Sequence, residues 1–338
     1  MVEQGAGEVV LSGRRSPEGE GRRWLDEIAA SGASVRYEAL DVADAGAVSR
    51  LALGLARAPR PLAGVVHAAG LLDDATIPGL DPSRLAAVFR PKAEGAAQLD
   101  RALRGRPLDF VVHFSSMAGL LGSAGQANYA AANAFLDSLA VLQRSRGTPA
   151  LSVQWGPWKE AGMAADLDQG YRARYARMGL EAIGPEDGVE MFGRLLSTDL
   201  AQAGVFRIDA RCLLDSPSWR RLASYLEPLA GGPSPPSAAV PADDILDRVR
   251  AAASKDRPAI LTAWLTGEIA RVLGMAAGST PEPEDDMARL GVDSLMAAEL
   301  RQVLQTRLAT EIKAASLFEH RTIAELGAYL AHLLFPSG

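Results

Sequence analysis

Ser116 stands thirteen residues before Tyr129, and Asn133 follows Tyr129 by one helical turn. A hydroxyl, a phenol and an amide at this spacing suit proton transfer to a carbonyl oxygen while a hydride reaches its carbon. The apolar run Asp109 to Phe114 predicts a buried parallel strand. Ser115 and Ser116 then lie at its C-terminal end, where open α/β sheets place their chemistry. Residues Ser123 to Arg146 predict the next helix, on which Tyr129 and Asn133 share one face as an i, i+4 pair. A phenol has a reference pKa of about 10 and needs a nearby cation to exchange a proton near neutrality. Lys92, in Arg90-Pro91-Lys92-Ala93-Glu94-Gly95-Ala96, is the candidate cation. A second chemical signal is Leu290-Gly291-Val292-Asp293-Ser294-Leu295-Met296, which puts Ser294 at a helix N-terminus, where unpaired amides favour an attached phosphate.

The elements that must position these residues alternate along the chain. Glu8 to Leu11, Ser34 to Leu40, Gly64 to His67, Asp109 to Phe114, Leu151 to Trp155 and Val205 to Ile208 read as strands separated by helical segments, which predicts an α/β fold with a doubly wound parallel sheet. Asp81-Pro82 predicts an N-cap and first helical position for the helix carrying Lys92, and Pro91 predicts a kink beside it. Gly231 to Ser237 is a linker by composition. Beyond it, Asp243 to Ala253, Pro258 to Leu273, Ser294 to Leu308 and Ile323 to Leu334 predict a small helical bundle. The expected domains are residues 1–228, a linker with a short helix at 229–256, and a terminal domain at 257–338.

Composition narrows the function classes. The 338 residues are 48% hydrophobic and 22% charged, enough for two real cores in a soluble, cytoplasmic protein. No apolar stretch approaches the ~20 residues of a membrane span. The net charge of −6, with no basic cluster, argues against nucleic acid as a partner. One cysteine, Cys212, read as an inert buried thiol, makes no intrachain disulfide, and four dispersed histidines offer no metal-ligand spacing. His67 and His113 read as satisfied core histidines. From Asp256 onward eleven acids face seven bases, a net of −4 that suits docking on basic faces of partner enzymes.

Residues 8 to 225 resemble the short-chain dehydrogenase/reductase superfamily, and within it the ketoreductases of type I modular polyketide synthases. Asn133 takes the place where most of the superfamily has lysine, and the Pro-Lys-x-x-Gly-Ala segment around Lys92 supplies the lysine instead. His67-Ala68-Ala69-Gly70 and Trp155-Gly156-Pro157-Trp158 are further matches. The segment at Ser294, with Phe318 to Leu326, resembles acyl carrier proteins. The resemblance implies a Rossmann-like fold followed by an all-α carrier domain, and NADPH-dependent reduction of a carrier-bound β-ketoacyl thioester. Lys92, Ser116, Tyr129 and Asn133 would be catalytic. Lys92 would lower the Tyr129 pKa, and Asn133 would help hold Lys92 and a relay water. Arg14, Arg15, Asp41, Val42, Ala68, Gly70 and Pro157 would hold the cofactor, although Asp41 reads equally as a helix cap. Ser294 would carry 4'-phosphopantetheine placed there by a phosphopantetheinyl transferase. Ketosynthase and acyltransferase domains would be partners.

Two details sharpen the expectation. Leu72-Asp73-Asp74, with Leu121 where the opposite class has tryptophan, resembles the B-type ketoreductases and implies a D-configured 3-hydroxyacyl product. The first strand and its glycine-rich pyrophosphate turn have no counterpart in the sequence. The chain therefore reads either as a fragment of a larger synthase or as a decayed, non-catalytic scaffold beside a functional carrier.

Overall fold

The computed structural model describes residues 2, 5–123, 125–159, 179–209, 245–273, 280–287, 289–290, 292, 294–313 and 315–336. They belong to two compact bodies: residues 1–74, 80–155 and 186–205 in one, and 75–79, 156–185 and 206–338 in the other. Cys212 lies outside the described residues. Among those described, no helix is long and apolar enough to cross a membrane.

The first body is α/β with parallel strands. Strands β1 (Glu8–Gly13) and β2 (Ser34–Ala39) pair with each other, while β3 (Gly64–His67), β4 (Phe110–Ser116), β5 (Ala150–Trp155) and β7 (Gln202–Val205) form a four-stranded sheet in the order β3-β4-β5-β7. The single sheet expected from the alternation is thus divided. Among the described residues β1 and β3 each have one hydrogen-bonded neighbour, and no strand joins them. Helices α1 (Glu20–Ala30), α2 (Ala45–Ala56), α3 (Pro82–Phe89), α4 (Gly95–Leu103), α5 (Met117–Leu121), α6 (Ala127–Ser145) and α7 (Pro185–Leu196) complete this body. Asp81 caps α3 by accepting from the amides of Ser83 and Arg84, and Pro82 follows at the first helical position, as the sequence predicts.

The sheet buries both faces. On β4 the side chains of Val111, His113 and Ser115 meet the α6 side, where Val111 packs with Ala140 and His113 bonds Gln143. Phe114 points the other way, its ring 5.8 Å from that of Phe192 on α7. Helix α6 buries Tyr129, Ala132, Asn133, Leu136, Asp137, Leu139, Ala140 and Gln143, a helical period that carries polar groups into the core at chosen turns.

In the second body, β6 (Leu180–Glu181) pairs antiparallel with β8 (Arg207–Ile208). The strand expected from Val205 to Ile208 is therefore two strands, broken at Phe206. Helices α8 (Ile245–Ala251), α9 (Arg257–Leu273), α10 (Ser294–Leu308), α11 (Ser316–Glu319) and α12 (Ile323–Leu334) build a bundle. Its core includes Leu261, Leu265, Leu300, Leu304, Leu326 and Leu330, and a Leu→Ala change at such positions costs about 2–5 kcal/mol. Ile245 and Val249 of α8 belong to the same core, so the short helix expected in the linker is part of the bundle. Thr322 and Glu325 close a capping box at the start of α12.

Candidate active site

Pro91 decides the local shape of the Lys92 segment. Lacking an N–H and crowding the carbonyl four residues back, proline cannot sit in a regular helix interior. The chain widens to a π-helical turn, Arg90–Glu94, between α3 and α4. The expected kink is thus a single wide turn. Lys92 lies in it with 3% of its surface exposed. Its Nζ donates to the carbonyl of Phe114 at 3.0 Å and stands 5.3 Å from the centre of the Tyr129 ring. Gly70 makes room for it, because a Cβ there would come 2.9 Å from Lys92 Cε. Burial pulls the ammonium down to a pKa of about 8, against the opposing pull of the Asp137 carboxylate.

Ser116 ends β4 and caps α5, its Oγ accepting from the Ala118 amide at 3.2 Å. Tyr129 and Asn133 lie one turn apart on α6, and Asn133 Nδ2 donates to the Tyr129 carbonyl at 2.8 Å. Asn133 is fully buried, yet its Oδ1 has no hydrogen-bond partner. A buried orphan acceptor costs about 1–3 kcal/mol, and it marks the point where a donor or a water belongs. Lys92, Ser116, Tyr129 and Asn133 are thus gathered at the C-terminal end of β4 and the adjoining face of α6.

Two expectations about their coupling need correction. Burial pushes the Tyr129 pKa up; Ser116 and Asn133 pull it down, and Asp74 adds to the rise. Desolvation of the phenolate prevails, and Lys92 is not among the groups that lower this pKa, contrary to the expectation. The ammonium of Lys92 is held by Phe114 O and not by Asn133, whose amide is spent on Tyr129.

The residues expected at the cofactor are more scattered. Arg14 and Arg15 are exposed after β1. Tyr37 Oη donates to the Arg15 carbonyl at 2.6 Å, and it occupies the space that any side chain at Gly13 would need. Asp41 accepts from the Ala43 amide at 2.9 Å and pairs with Arg90 at 2.9 Å, interactions that lower its pKa. It does not cap α2, since Asp44 accepts from the Ala47 amide and does so instead. Val42 is half-buried, Ala68 is exposed, and Gly70 adjoins Lys92. Pro157 belongs to the second body, where its carbonyl accepts from the Ile183 amide at 2.7 Å. Ser294 opens α10, as expected. His67 and His113 are buried, but His113 Nδ1 has no hydrogen-bond partner, so this histidine is only half satisfied.

Sequence reasoning missed Asp137. It follows Asn133 by one more turn, accepts from Ser152 Oγ at 2.6 Å and from Gln154 Nε2 at 3.0 Å, and puts a carboxylate inside the first body. The signal was present in β5, where Ser152 and Gln154 alternate as polar residues within an otherwise apolar strand. It also missed Gln126 and Asn128. Gln126 Nε2 donates to Asp74 Oδ2, and Asn128 Nδ2 donates to the Asp73 carbonyl.

The KR domain family model matches residues 1–160, and the model for the phosphopantetheine attachment site matches residues 263–330. The chain is 41% identical over 318 residues to the spectinabilin polyketide synthase system protein NorB of Streptomyces orinoci, covering 93% of this chain and 15% of NorB. It therefore spans less than a sixth of that relative's length. An A-type ketoreductase structure from a modular polyketide synthase is similar at 38% identity and a TM-score of 0.58, over 62% of this chain and 44% of the other. An A1-type ketoreductase is similar at 36% identity and a TM-score of 0.59, over 71% and 48%.

Proposed function

Since the chain belongs to the type I polyketide synthases, as a ketoreductase region followed by a carrier region, we propose that it reduces a carrier-bound β-ketoacyl thioester and tethers acyl chains on Ser294. The observation that carries this reading is the convergence of Ser116, Tyr129 and Lys92 around one half-open strand end, with a buried unsatisfied acceptor on Asn133 behind them. NADPH, when bound, would supply the hydride. The reaction end fits it: Lys92 and Tyr129 offer a cation and a hydroxyl for a ribose, and Gly70 gives the Lys92 side chain its room. A glycine-rich pyrophosphate cradle is not found among the described residues, and the exposed Arg14 and Arg15 offer cations for an adenosine 2'-phosphate.

In this mechanism the Tyr129 hydroxyl donates its proton to the ketone oxygen as that oxygen gains charge. A raised pKa keeps the phenol protonated at neutral pH, and the nascent alkoxide is far more basic than a phenolate, so the transfer still runs downhill. Ser116 Oγ hydrogen-bonds the same oxygen and orients it. Lys92, whose ammonium stands 5.3 Å from the Tyr129 ring centre, would hold the ribose of the cofactor, and the free acceptor of Asn133 holds a water through which Tyr129 is reprotonated.

The proposed domain limits are 1–228 for the ketoreductase region and 257–338 for the carrier, extended back to include α8. A phosphopantetheinyl transferase would modify Ser294, and ketosynthase and acyltransferase domains would exchange acyl chains with it. The B-type assignment rests on the loop Leu72 to Asp74, bonded to the turn before Tyr129, and on Leu121. The divided sheet favours a second reading, a ketoreductase scaffold without turnover beside a working carrier. Titrating the chain with NADPH by fluorescence, followed by assay of a β-ketoacyl thioester, separates them. Binding with reduction supports the first reading, and absence of both supports the second.

A further inference from the structure

The wide turn at Arg90–Glu94 creates a problem that a regular helix does not have. The Gly95 N–H, which a regular helix would give to the Pro91 carbonyl, reaches instead to the carbonyls of Arg90 and Lys92, so Pro91 loses its usual partner four residues on. Directly beside the turn stands His67, the last residue of β3 and 3% exposed. Its Nε2 lies 3.1 Å from the Lys92 carbonyl, and the Pro91 carbonyl also interacts with the ring. A carbonyl can only accept, so Nε2 carries the proton and the tautomer is fixed. We propose that His67 is a positioning residue for Lys92: it anchors the widened turn by its backbone, and so sets the register at which the ammonium reaches Phe114 O and the Tyr129 ring.

The surroundings keep that donor in place. His113 packs edge-on with ring centres 6.1 Å apart, and the Lys92 ammonium acts on the ring as a nearby positive charge. Asp100 and Arg104 line the small cavity that both histidines share with Gln143. Burial, together with the charges of His113 and Lys92, lowers the His67 pKa to about 3, so the imidazole is a neutral donor across the working range. Nothing in this arrangement touches the reacting atoms, and His67 acts through the lysine alone. The functional meaning rests on Lys92 as the cation of reduction, but the geometry can be tested on Lys92 itself.

The chain has four lysines, Lys92, Lys159, Lys255 and Lys313, so a full-length sample with 13C- and 15N-labelled lysine gives few enough Cε signals to follow from about pH 6 to about pH 10. One signal should titrate near about 8 and vanish in Lys92→Met. In His67→Phe that midpoint should rise by about one unit or more, toward the ordinary lysine value of about 10.4, as the turn slips and the ammonium meets water. His67→Gln keeps an N–H donor and should return the midpoint to within about 0.3 unit of the wild type. His67→Leu, smaller than phenylalanine and likewise without an N–H, should repeat the His67→Phe result where the larger ring does not fold. A Lys92 midpoint unmoved in folded His67→Phe or His67→Leu overturns the proposal, as does an ordinary lysine midpoint in the wild type. A chain that gives the expected midpoints but reduces no ketone keeps the proposal and overturns only the reading of Lys92 as catalytic.

Discussion

Gln126 donates from Nε2 to Asp74 Oδ2 at 2.9 Å, so the residue three places before Tyr129 holds the loop beside the candidate ketone site. Asn128 repeats the tie through the Asp73 carbonyl, and Arg84 pairs with Asp73 at 2.7 Å from the other side. In the proposed B-type reading, this tied loop would admit the acyl chain from one direction, and a fixed hydride donor would then meet one face of the ketone. The expected product is the D-configured 3-hydroxyacyl thioester, read by chiral analysis after hydrolysis. Gln126→Ala should lower its stereochemical purity, and predominantly L product from the unaltered chain would overturn the entry-side argument.

Tyr129→Phe removes the proton donor and leaves the ring in place. Reduction should fall by about 10²- to 10⁴-fold with little change in NADPH affinity. The measurement is NADPH oxidation alongside cofactor fluorescence. A rate near that of the unaltered chain would remove Tyr129 from the mechanism.

Lys92 carries a stability cost whose pH window follows from its shift. The folded pKa of about 8 lies below the unfolded value of 10.5, so between them the unfolded chain binds more protons and stability rises with pH. Below about 8 the penalty is complete, of the order of 3 kcal/mol for a shift of this size. Lys92→Met should therefore unfold at higher urea concentration at pH 7, offset by about 1 kcal/mol for the bond to Phe114, and should lose the rise in stability on going from pH 7 to pH 10. Urea melts at both pH values check the sign, and a Lys92→Met chain less stable at pH 7 would contradict it.

Ser294 should be the single site of modification. Incubation with coenzyme A and a phosphopantetheinyl transferase should add one phosphopantetheine by intact mass, and Ser294→Ala should add none. Retention of the added mass in the alanine variant would place the attachment elsewhere.

Much of this was legible in the sequence because the relevant signals are local. The strand at Phe110–Ser116 and the helix at Ala127–Ser145 follow from short periodic patterns, and with their order known the meeting of Ser116 with Tyr129 and Asn133 follows. Pro91 announced a disturbance beside Lys92, but not its form, because a π turn depends on which neighbour can accept a wide helix, and His67 is distant in sequence. Asp137 was hidden for the same reason: a carboxylate on a helix reads as a solvated charge until Ser152 and Gln154 are brought beneath it. The direction of the Tyr129 shift depends on how completely the ring is buried, which spacing does not reveal. The division of the sheet emerged only from the pairing of β1 with β2 alone.

That division predicts uneven protection against hydrogen exchange. Val9, Val10 and Leu11 of β1 are only partly covered, whereas β5 is buried at every position, and two strands by themselves are marginal in water. The β1–β2 pair should therefore open in small local fluctuations, its amides exchanging well before those of β4 and β5. Arg14 and Arg15 sit on this lobe. A ligand gripping them through a phosphate must first select the closed lobe, so its apparent affinity is reduced by the closed fraction, and its arrival should slow exchange at Val10 and Val35 more than at Val112.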